Sequence, residues 1–310
     1  MKSPDTYQKI TNKILSQLEK GCVPWVQPWK TAKHSAANPH NAGSKRSYNG
    51  VNRVILWMEQ IFCGYPTDGW LTYKQAEALG GHVRKGEKGT MVIWISRKEI
   101  PVKDSNGKVE KNKDGSTKTK KIPLMREFWV FNLAQIDDLP EKYQVMPVVE
   151  NEDKPLEDAT FTAWVKGTKA NIKHGGDQAY FRPSTDEIQM PKPAWFDSAS
   201  HYKATMLHEL THWTGAKHRL DRDLKPRFAE QAYAAEELVA ELGAAFLCAD
   251  LNVDGDLRHA DYIGHWIKLL KDDPKAIFTA SSKATAAATY LHELNGTKET
   301  AEETELEMAA

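Results

Sequence analysis

The sequence predicts an α+β fold of two domains: an N-terminal α+β domain, and a C-terminal, mainly helical domain with a small sheet. A chain of 310 residues is long enough to bury two hydrophobic cores. The formal net charge of zero conceals an asymmetry, because residues 1–126 carry 23 Lys and Arg against 10 Asp and Glu, whereas residues 127–310 carry 19 against 32. This change of charge along the chain favours two units, of which only the first has an anionic partner.

Residues 1–139 are assigned to a basic N-terminal domain, in which apolar periodicity and turn signals mark the elements. Helices are predicted at about residues 7–18, 51–62 and 74–79. Strands are predicted at residues 70–73, 91–95 and 127–131. The last two strands flank a lysine-rich segment, whose turn signals at Asn106-Gly107 and Asp114-Gly115 indicate an extended hairpin.

Residues 140–157 form an acidic segment with three prolines and no apolar periodicity, which predicts a linker. The second domain is assigned to residues 158–295. Its helices are expected at about residues 158–172, 198–214, 230–250, 258–272 and 282–294. Its short strands are expected at 178–181 and 187–190. Residues 296–310 are rich in Glu, Thr and Ala and are expected to be a disordered or frayed tail.

The most informative motif is His208-Glu209-Leu210-Thr211-His212, inside the predicted helix at 198–214. Residues four apart lie on the same face of a helix, so the two imidazoles can bind one metal ion. Glu209 then lies beside the ion, where a carboxylate can act as general base towards an activated water. The motif therefore predicts a zinc site with His208 and His212 as ligands and Glu209 as the catalytic base.

Two residues compete to be the third protein ligand. His218 completes the pattern HExxHxxGxxH of metzincins, but that class also places a methionine turn beneath the metal. The only methionine after the motif is Met308, in the predicted tail. Glu237, on the next long helix, would instead give the arrangement of gluzincins. We favour Glu237, with Glu241 one turn later orienting a ligand histidine through its other ring nitrogen.

The N-terminal half interleaves aromatic and cationic side chains, a pattern typical of proteins that bind single-stranded nucleic acid. Bases stack on exposed rings, while Lys and Arg contact phosphates. The aromatic residues that flank predicted loops are the expected stacking positions, and the neighbouring cations are the expected phosphate contacts. The candidate DNA-binding residues are Trp25, Trp29, Lys45, Arg46, Tyr48, Arg53, Trp70, Lys74, Arg84, Lys85 and Lys88.

Several segments, in the same order along the chain, resemble the ArdC-type antirestriction proteins of plasmids and phages. They are Pro24-Trp25 to Pro28-Trp29, residues 48–52, 70–76, 80–89, 208–215 and 236–251, and Asp261-Tyr262-Ile263. The resemblance implies an N-terminal domain that binds single-stranded DNA and a C-terminal zincin-like metallopeptidase domain similar to the SprT/Spartan type. It further implies a role in protecting incoming mobile DNA from host restriction. The histidine that completes the metzincin pattern is not a feature of that family, which also favours Glu237.

Two functions stay open at this level. The first is an antirestriction enzyme that binds single-stranded DNA and cleaves an unknown protein with one zinc ion per chain. The alternative is a non-catalytic module that coats single-stranded DNA, in which the metal only stabilises the fold. An intact Glu209 favours the enzyme, because a purely structural metal site needs no general base. Three widely spaced cysteines and the lack of a long apolar run favour a cytoplasmic protein without a membrane partner.

Overall fold

The computed structural model describes residues 3–25, 38–104, 107–143, 158–253 and 262–296. Within these ranges the chain forms the two predicted parts, each with its own helices and sheet, so the α+β fold class is confirmed. Most of the predicted linker, from 144 to 157, and the tail from 297 onwards lie outside the described residues. None of the described helices combines the length and the apolar composition needed to cross a membrane.

The N-terminal part places three helices against a four-stranded sheet. The helices are α1 (Ser3–Leu18), α2 (Val51–Cys63) and α3 (Tyr73–Ala78). The strands are β1 (His40–Asn41), β2 (Gly69–Thr72), β3 (His82–Val83), β4 (Thr90–Pro101), β5 (Thr119–Asn132) and β6 (Ile136–Asp137). The main sheet has the order β1-β2-β5-β4, and β3 pairs with β6. The strands β1, β3 and β6 were not predicted, because two residues are too few to show a periodicity.

The predicted extended hairpin is confirmed as β4 and β5. Twelve consecutive antiparallel pairs join these strands, from Thr90 opposite Val130 to Pro101 opposite Thr119. Gly107 and Gly115 occupy the predicted turns with φ of 81° and 83°, a conformation that glycine adopts without steric cost. The hairpin therefore extends the basic part of the chain as a two-stranded ribbon.

The C-terminal part is a helical layer with a small three-stranded sheet. The helices are α4 (Ala159–Gly167), α5 (Ala199–Thr214), α6 (Lys225–Phe228), α7 (Ala232–Asp250), α8 (Ile263–Asp272) and α9 (Ala276–Leu294). The strands are β7 (Asn171–His174), β8 (Tyr180–Arg182) and β9 (Glu187–Met190), in the order β7-β9-β8. The predicted helix at 158–172 is too long. The chain leaves the helix after Gly167, turns at Lys169 with a φ of 59°, and continues as β7 paired to β9.

The main hydrophobic cluster draws side chains from both parts of the chain. Residues of α1 and α2 pack with residues of α5, α7, α8 and α9 in one continuous set. The rings of Trp25 and Trp266 lie 5.7 Å apart, and those of Tyr7 and Phe278 lie 4.6 Å apart. We expected a separate core for each domain, whereas the N-terminal helices complete the core of the C-terminal part.

The helices α5 and α7 approach each other closely at a single glycine. A Cβ atom on Gly243 would lie 2.5 Å from Cγ2 and 2.7 Å from Oγ1 of Thr211, distances at which atoms overlap. The Thr211 hydroxyl donates to the carbonyl of Leu207, 2.8 Å away, so its side chain is held on the helix surface. This contact fixes the position of α7 relative to the helix that carries the two motif histidines.

Gly243→Ala should therefore destabilise the protein, because the added methyl group forces the two helices apart. Overpacking of this kind costs about 1–3 kcal/mol in the free energy of unfolding. The matched control is Gly264→Ala in α8, where nothing lies within 4 Å of the added Cβ and where alanine is favoured in a helix by about 0.5–1 kcal/mol. Denaturant unfolding of both variants measures the difference, and equal stabilities would contradict the close helix contact.

Candidate metal centre

The helix α5 presents the two motif histidines on one face. It begins after Ser198, whose hydroxyl accepts a hydrogen bond of 3.0 Å from the backbone N–H of His201 and so caps the first turn. The rings of His208 and His212 lie 4.8 Å apart between centroids, and their Nε2 atoms face each other at 3.1 Å. Two imidazole nitrogens are thus aimed at one point, as the HExxH spacing predicts.

Glu237 of α7 completes a triangle with these histidines. Its Oε2 lies 3.6 Å from Nε2 of His208, and its Oε1 lies 3.6 Å from Nε2 of His212. Two ligand atoms at zinc–ligand bond length on a tetrahedral zinc ion lie roughly 3.4 Å apart. The three observed distances bracket that value, so the donor set fits a metal ion without rearrangement of the backbone. Each of the three residues offers one ligand atom, and these three atoms lie within 4.8 Å of one another.

His218 lies outside this triangle. Its side chain is 63% exposed, and Nε2 lies 3.3 Å from the Asp186 carboxylate. Arg219 also binds Asp186, with its Nη1 donating over 3.0 Å. The chain that follows α5 therefore turns away from the metal ligands, and the geometry favours Glu237 over His218 as the third ligand.

A glutamate and an arginine that the sequence did not single out support His212. Oε1 of Glu236 lies 3.1 Å from Nδ1 of His212. Arg222 donates two hydrogen bonds to the Glu236 carboxylate, of 2.8 Å from Nε and 2.6 Å from Nη2. Burial opposes ionisation, but the hydrogen bonds and charges of Arg222 and His212 together outweigh it and lower the pKa of Glu236. An ionised carboxylate only accepts, so Nδ1 of His212 carries a proton. Burial opposes the charged imidazole, but hydrogen bonds to Glu236 and Glu237 raise the pKa of His212 to about 10, so a metal ion that binds Nε2 displaces a proton.

The buried guanidinium of Arg222 explains the glycine of the motif. Arg222 also donates to the backbone carbonyl of Thr211 over 2.8 Å and to the Thr214 hydroxyl over 3.0 Å. A Cβ atom on Gly215 would lie only 2.8 Å from its Nη2. Gly215 therefore makes room for the arginine, whereas in the metzincin pattern the glycine would return a third histidine to the metal. Nothing in the linear sequence indicates Arg222, because its contacts depend on the loop between α5 and α6.

Glu241 lies next to the other histidine. It is fully buried, and Oε1 lies 4.0 Å from Nδ1 of His208. Burial, with the charge of Glu237, raises the pKa of Glu241 to about 8. Burial likewise lowers the pKa of His208, which keeps its imidazole in the neutral form that binds metals. Glu241 therefore lies beside His208, but 4.0 Å is longer than a hydrogen bond, so its orienting role stays a prediction.

Glu209 projects into the cleft beside the triangle. Its side chain is buried, and that burial raises its pKa to about 7, although the charge of His212 and a backbone hydrogen bond from Phe181 act in the opposite direction. A carboxyl group with a pKa near neutral pH can both accept and return a proton. The cleft has a volume of about 880 Å³ and is open to solvent. The strand β8 forms one wall, and the hydroxyls of Tyr233 and Tyr262 meet at 2.9 Å on another.

Three of the predicted stacking residues are corrected by the structure. Trp25 and Trp70 are fully buried, and Tyr48 is nearly so. Trp25 packs on the ring of Trp266, and Trp70 and Tyr48 belong to the cluster under the main sheet. Burial also raises the pKa of Tyr48 to about 12. A base cannot stack on a ring that the protein core covers, so these residues hold the fold together. Trp29 lies outside the described residues.

Two of the predicted cations are also engaged within the protein. Arg53 is buried and donates to the Asp250 carboxylate over 2.6 Å and to the Phe246 carbonyl over 3.1 Å, so it joins the two parts of the chain. This corrects its assignment as a DNA contact. Arg84 is exposed but pairs with Glu87 at 2.8 Å and with Asp137 at 3.3 Å. The remaining predicted cations have exposed side chains: Lys45, Arg46, Lys74, Lys85 and Lys88.

Removal of the third ligand should abolish metal binding. We expect wild-type protein supplied with zinc to hold about one ion per chain, and Glu237→Ala to lose it because only two donors remain. His218→Ala should keep the metal, since its imidazole lies outside the triangle. Metal content by mass spectrometry after dialysis checks both. Loss of metal in His218→Ala with retention in Glu237→Ala would overturn the assignment.

Loss of Glu236, which accepts a hydrogen bond from His212, should weaken metal binding without removing a ligand. We expect about 10–100-fold lower metal affinity for Glu236→Ala, the usual effect of losing a partner that orients a ligand histidine. Glu236→Gln, which keeps an acceptor, should lose less, and exposed Glu230→Gln should match the wild type. Competition with a chelator measures affinity, and thermal unfolding of the metal-free proteins separates this effect from simple destabilisation. Unchanged affinity in Glu236→Ala would refute the role.

Comparisons with known proteins agree with both parts of the fold. Residues 4–131 match the family model for the N-terminal domain of anti-restriction factor ArdC, and residues 159–283 match a zincin-like metallopeptidase model. An uncharacterised protein y4eC of Sinorhizobium fredii is 38% identical over 291 residues, which cover 93% of this chain and 92% of that protein. The DNA primase TraC of Escherichia coli is also 38% identical, but the chain spans only 26% of its length.

The solved structures of the antirestriction ArdC protein of plasmid R388 extend the agreement over nearly the whole chain. The metal-free structure is 38% identical, with a TM-score of 0.78, and the match covers 94% of this chain and 98% of that one. A Mn(II)-bound structure of the same protein is 37% identical, with a TM-score of 0.71, and the match covers 93% and 97%. With both domain models matched and a likeness that runs from end to end, the chain belongs to the ArdC family of antirestriction proteins.

Proposed function

We propose that this protein is the antirestriction factor of a mobile element, with a DNA-binding N-terminal part and a zinc-dependent peptidase site in its C-terminal part. The observation that carries the proposal is the triangle of His208, His212 and Glu237 with Glu209 beside it. A site that only stabilised the fold would be closed by a fourth protein ligand and would need no buried carboxylate at an open cleft. The ArdC and zincin-like family models support the same pairing of functions.

Zinc suits the donor set, because two imidazoles and one carboxylate with an open fourth position are typical of catalytic zinc sites. A bound zinc ion would polarise a substrate carbonyl and make a water molecule more acidic. Glu209, with a pKa of about 7, would accept a proton from a water molecule in the cleft and later return it to the leaving amine. His212, held by Glu236 and Arg222, and His208, beside Glu241, keep the orientation of the site fixed during these transfers.

An extended peptide is the substrate that the cleft fits best. In the described sheet β8 pairs only with β9, so its other edge is open to a further strand, although the Phe181 backbone N–H on β8 donates to Glu209. Residues 179–181 of this edge line the cleft together with the histidines and Glu209. A peptide can add to such an edge as a further strand, with backbone hydrogen bonds giving affinity. The carbonyl to be cleaved would then pass beside the ligand triangle.

The N-terminal part is proposed to bind single-stranded DNA. Residues 1–126 carry a net charge of +13, and lysines are exposed around α3 and along the β4–β5 hairpin. A polyanion is the natural partner of such a surface, and its binding depends strongly on salt. This arrangement would hold the peptidase site close to proteins that act on the same DNA in the cytoplasm.

Glu209→Gln separates the enzyme from the alternative of a non-catalytic DNA-coating module. The substitution keeps size and hydrogen bonding but removes the base, so we expect unchanged metal content and DNA binding and a loss of proteolysis of about 10²–10⁴-fold. The readouts are cleavage of DNA-bound host proteins and the survival of transferred DNA in a restricting host. Exposed Glu230→Gln serves as the control. Full protection by Glu209→Gln would favour the coating module.

A further inference from the structure

Tyr73 and Trp129 of the N-terminal part have exposed aromatic side chains, as does Phe62 on α2, in contrast to the buried rings of Trp25, Tyr48 and Trp70. Trp129 on β5 is 52% exposed, and Tyr73 at the start of α3 is 51% exposed. Aromatic side chains of this size normally bury most of their surface in the core. Their exposure within a basic domain indicates a surface that binds a flat apolar partner.

The rings of Tyr73 and Trp129 belong to one patch of the main sheet. Trp129 and Phe131 are two residues apart on β5, so their side chains point to the same face. The ring of Tyr73 meets the ring of Phe131 edge-on, with centroids 6.4 Å apart. The patch therefore continues from the strand to the start of α3 through Phe131.

The glycine-containing loop before β4 lies directly on this patch. A Cβ atom on Gly89 would lie 3.1 Å from Cβ of Trp129 and 3.1 Å from Cζ of Phe131. A side chain at this position would therefore require Trp129 or Phe131 to shift by roughly a few tenths of an ångström. This contact places the segment that contains Lys85 and Lys88 next to the aromatic patch.

Three exposed lysines lie next to the aromatic residues along the chain. Lys74 follows Tyr73, Lys88 precedes Gly89, and Lys85 lies at the start of the same loop, where adjacent Cα atoms are about 3.8 Å apart. Among the described residues no carboxylate forms an ion pair with any of the three, in contrast to Arg84. Their charges are thus available to an anionic partner.

We propose that Tyr73, Trp129 and Phe131, with Lys74, Lys85 and Lys88, form the stacking surface for single-stranded DNA. The inference rests on the proposed DNA-binding function and assigns its site. Exposed rings provide faces for unpaired bases, and the free lysines provide contacts to the phosphates between them. Duplex DNA keeps its bases stacked on one another, so this surface prefers single strands.

Binding of a fluorescent 20-residue oligothymidylate, followed by anisotropy at several salt concentrations, tests the surface. Trp129→Ala and Tyr73→Ala should each weaken binding about tenfold or more, the loss expected for one stacked base, without changing the salt dependence. Combined replacement of Lys74, Lys85 and Lys88 by Gln should reduce the slope of log affinity against log salt by about 0.7 for each phosphate that is no longer neutralised. The matched control is Trp195→Ala, because Trp195 is 60% exposed but lies in the C-terminal part.

The results distinguish an incorrect stacking surface from an incorrect DNA-binding function. If the wild type binds and Trp129→Ala and Tyr73→Ala bind as tightly as Trp195→Ala, the stacking surface is wrong while DNA binding stands. If the wild type does not bind the oligonucleotide at low salt, both the surface and the proposed DNA-binding function fail. Circular dichroism of each variant checks folding, and Trp129→Phe, which keeps a ring, should retain most of the affinity.

Discussion

The contact between α5 and α7 at Thr211 and Gly243 is the constraint on which the metal centre depends. The HExxH motif places two imidazoles on one helix face, but the third ligand comes from a different helix. Carboxylate and imidazole must come within about 4 Å for one ion to bind all of them. A glycine on α7, packed directly against a threonine on α5, allows that distance. Small residues on α7 therefore determine whether the motif can form a site at all.

Buried charges on α5, on α7 and in the loop after α5 support the metal ligands. Arg222 neutralises Glu236, and Glu236 holds the proton of His212 on Nδ1. Burying one of these charges alone would be costly, whereas the connected set satisfies each member with hydrogen bonds. The neighbouring carboxyls differ in environment: Arg222 and His212 lower the pKa of Glu236 against the effect of burial, while burial raises the pKa of Glu209 to about 7. The site therefore contains one carboxylate that stays ionised, Glu236, and one carboxyl group that titrates near neutral pH, Glu209.

The N-terminal helices stabilise the C-terminal part as well as carrying the basic domain. The buried pair of Arg53 and Asp250 and the packed aromatic residues of α1, α2, α8 and α9 hold the two parts against each other. A fixed relation between them would keep the proposed DNA surface at a constant position relative to the cleft. It also explains why Trp25, which neighbours a loop in the sequence, is a core residue: its ring packs on Trp266 of the C-terminal part, whereas Trp70 is buried within the N-terminal part.

The sequence by itself determined the fold class, most helices, the long hairpin and the positions of His208, Glu209 and His212, because each leaves a local periodicity or spacing in the chain. It also indicated Glu237, from its place on the next long helix. Only the tertiary structure decided which residue reaches the histidines, that Arg222 and Glu236 support one of them, and that Gly215 accommodates an arginine. It likewise decided which aromatic residues are exposed. Tryptophan and tyrosine beside lysine look the same in sequence whether their rings face solvent or core, since that depends on which distant helix packs above them.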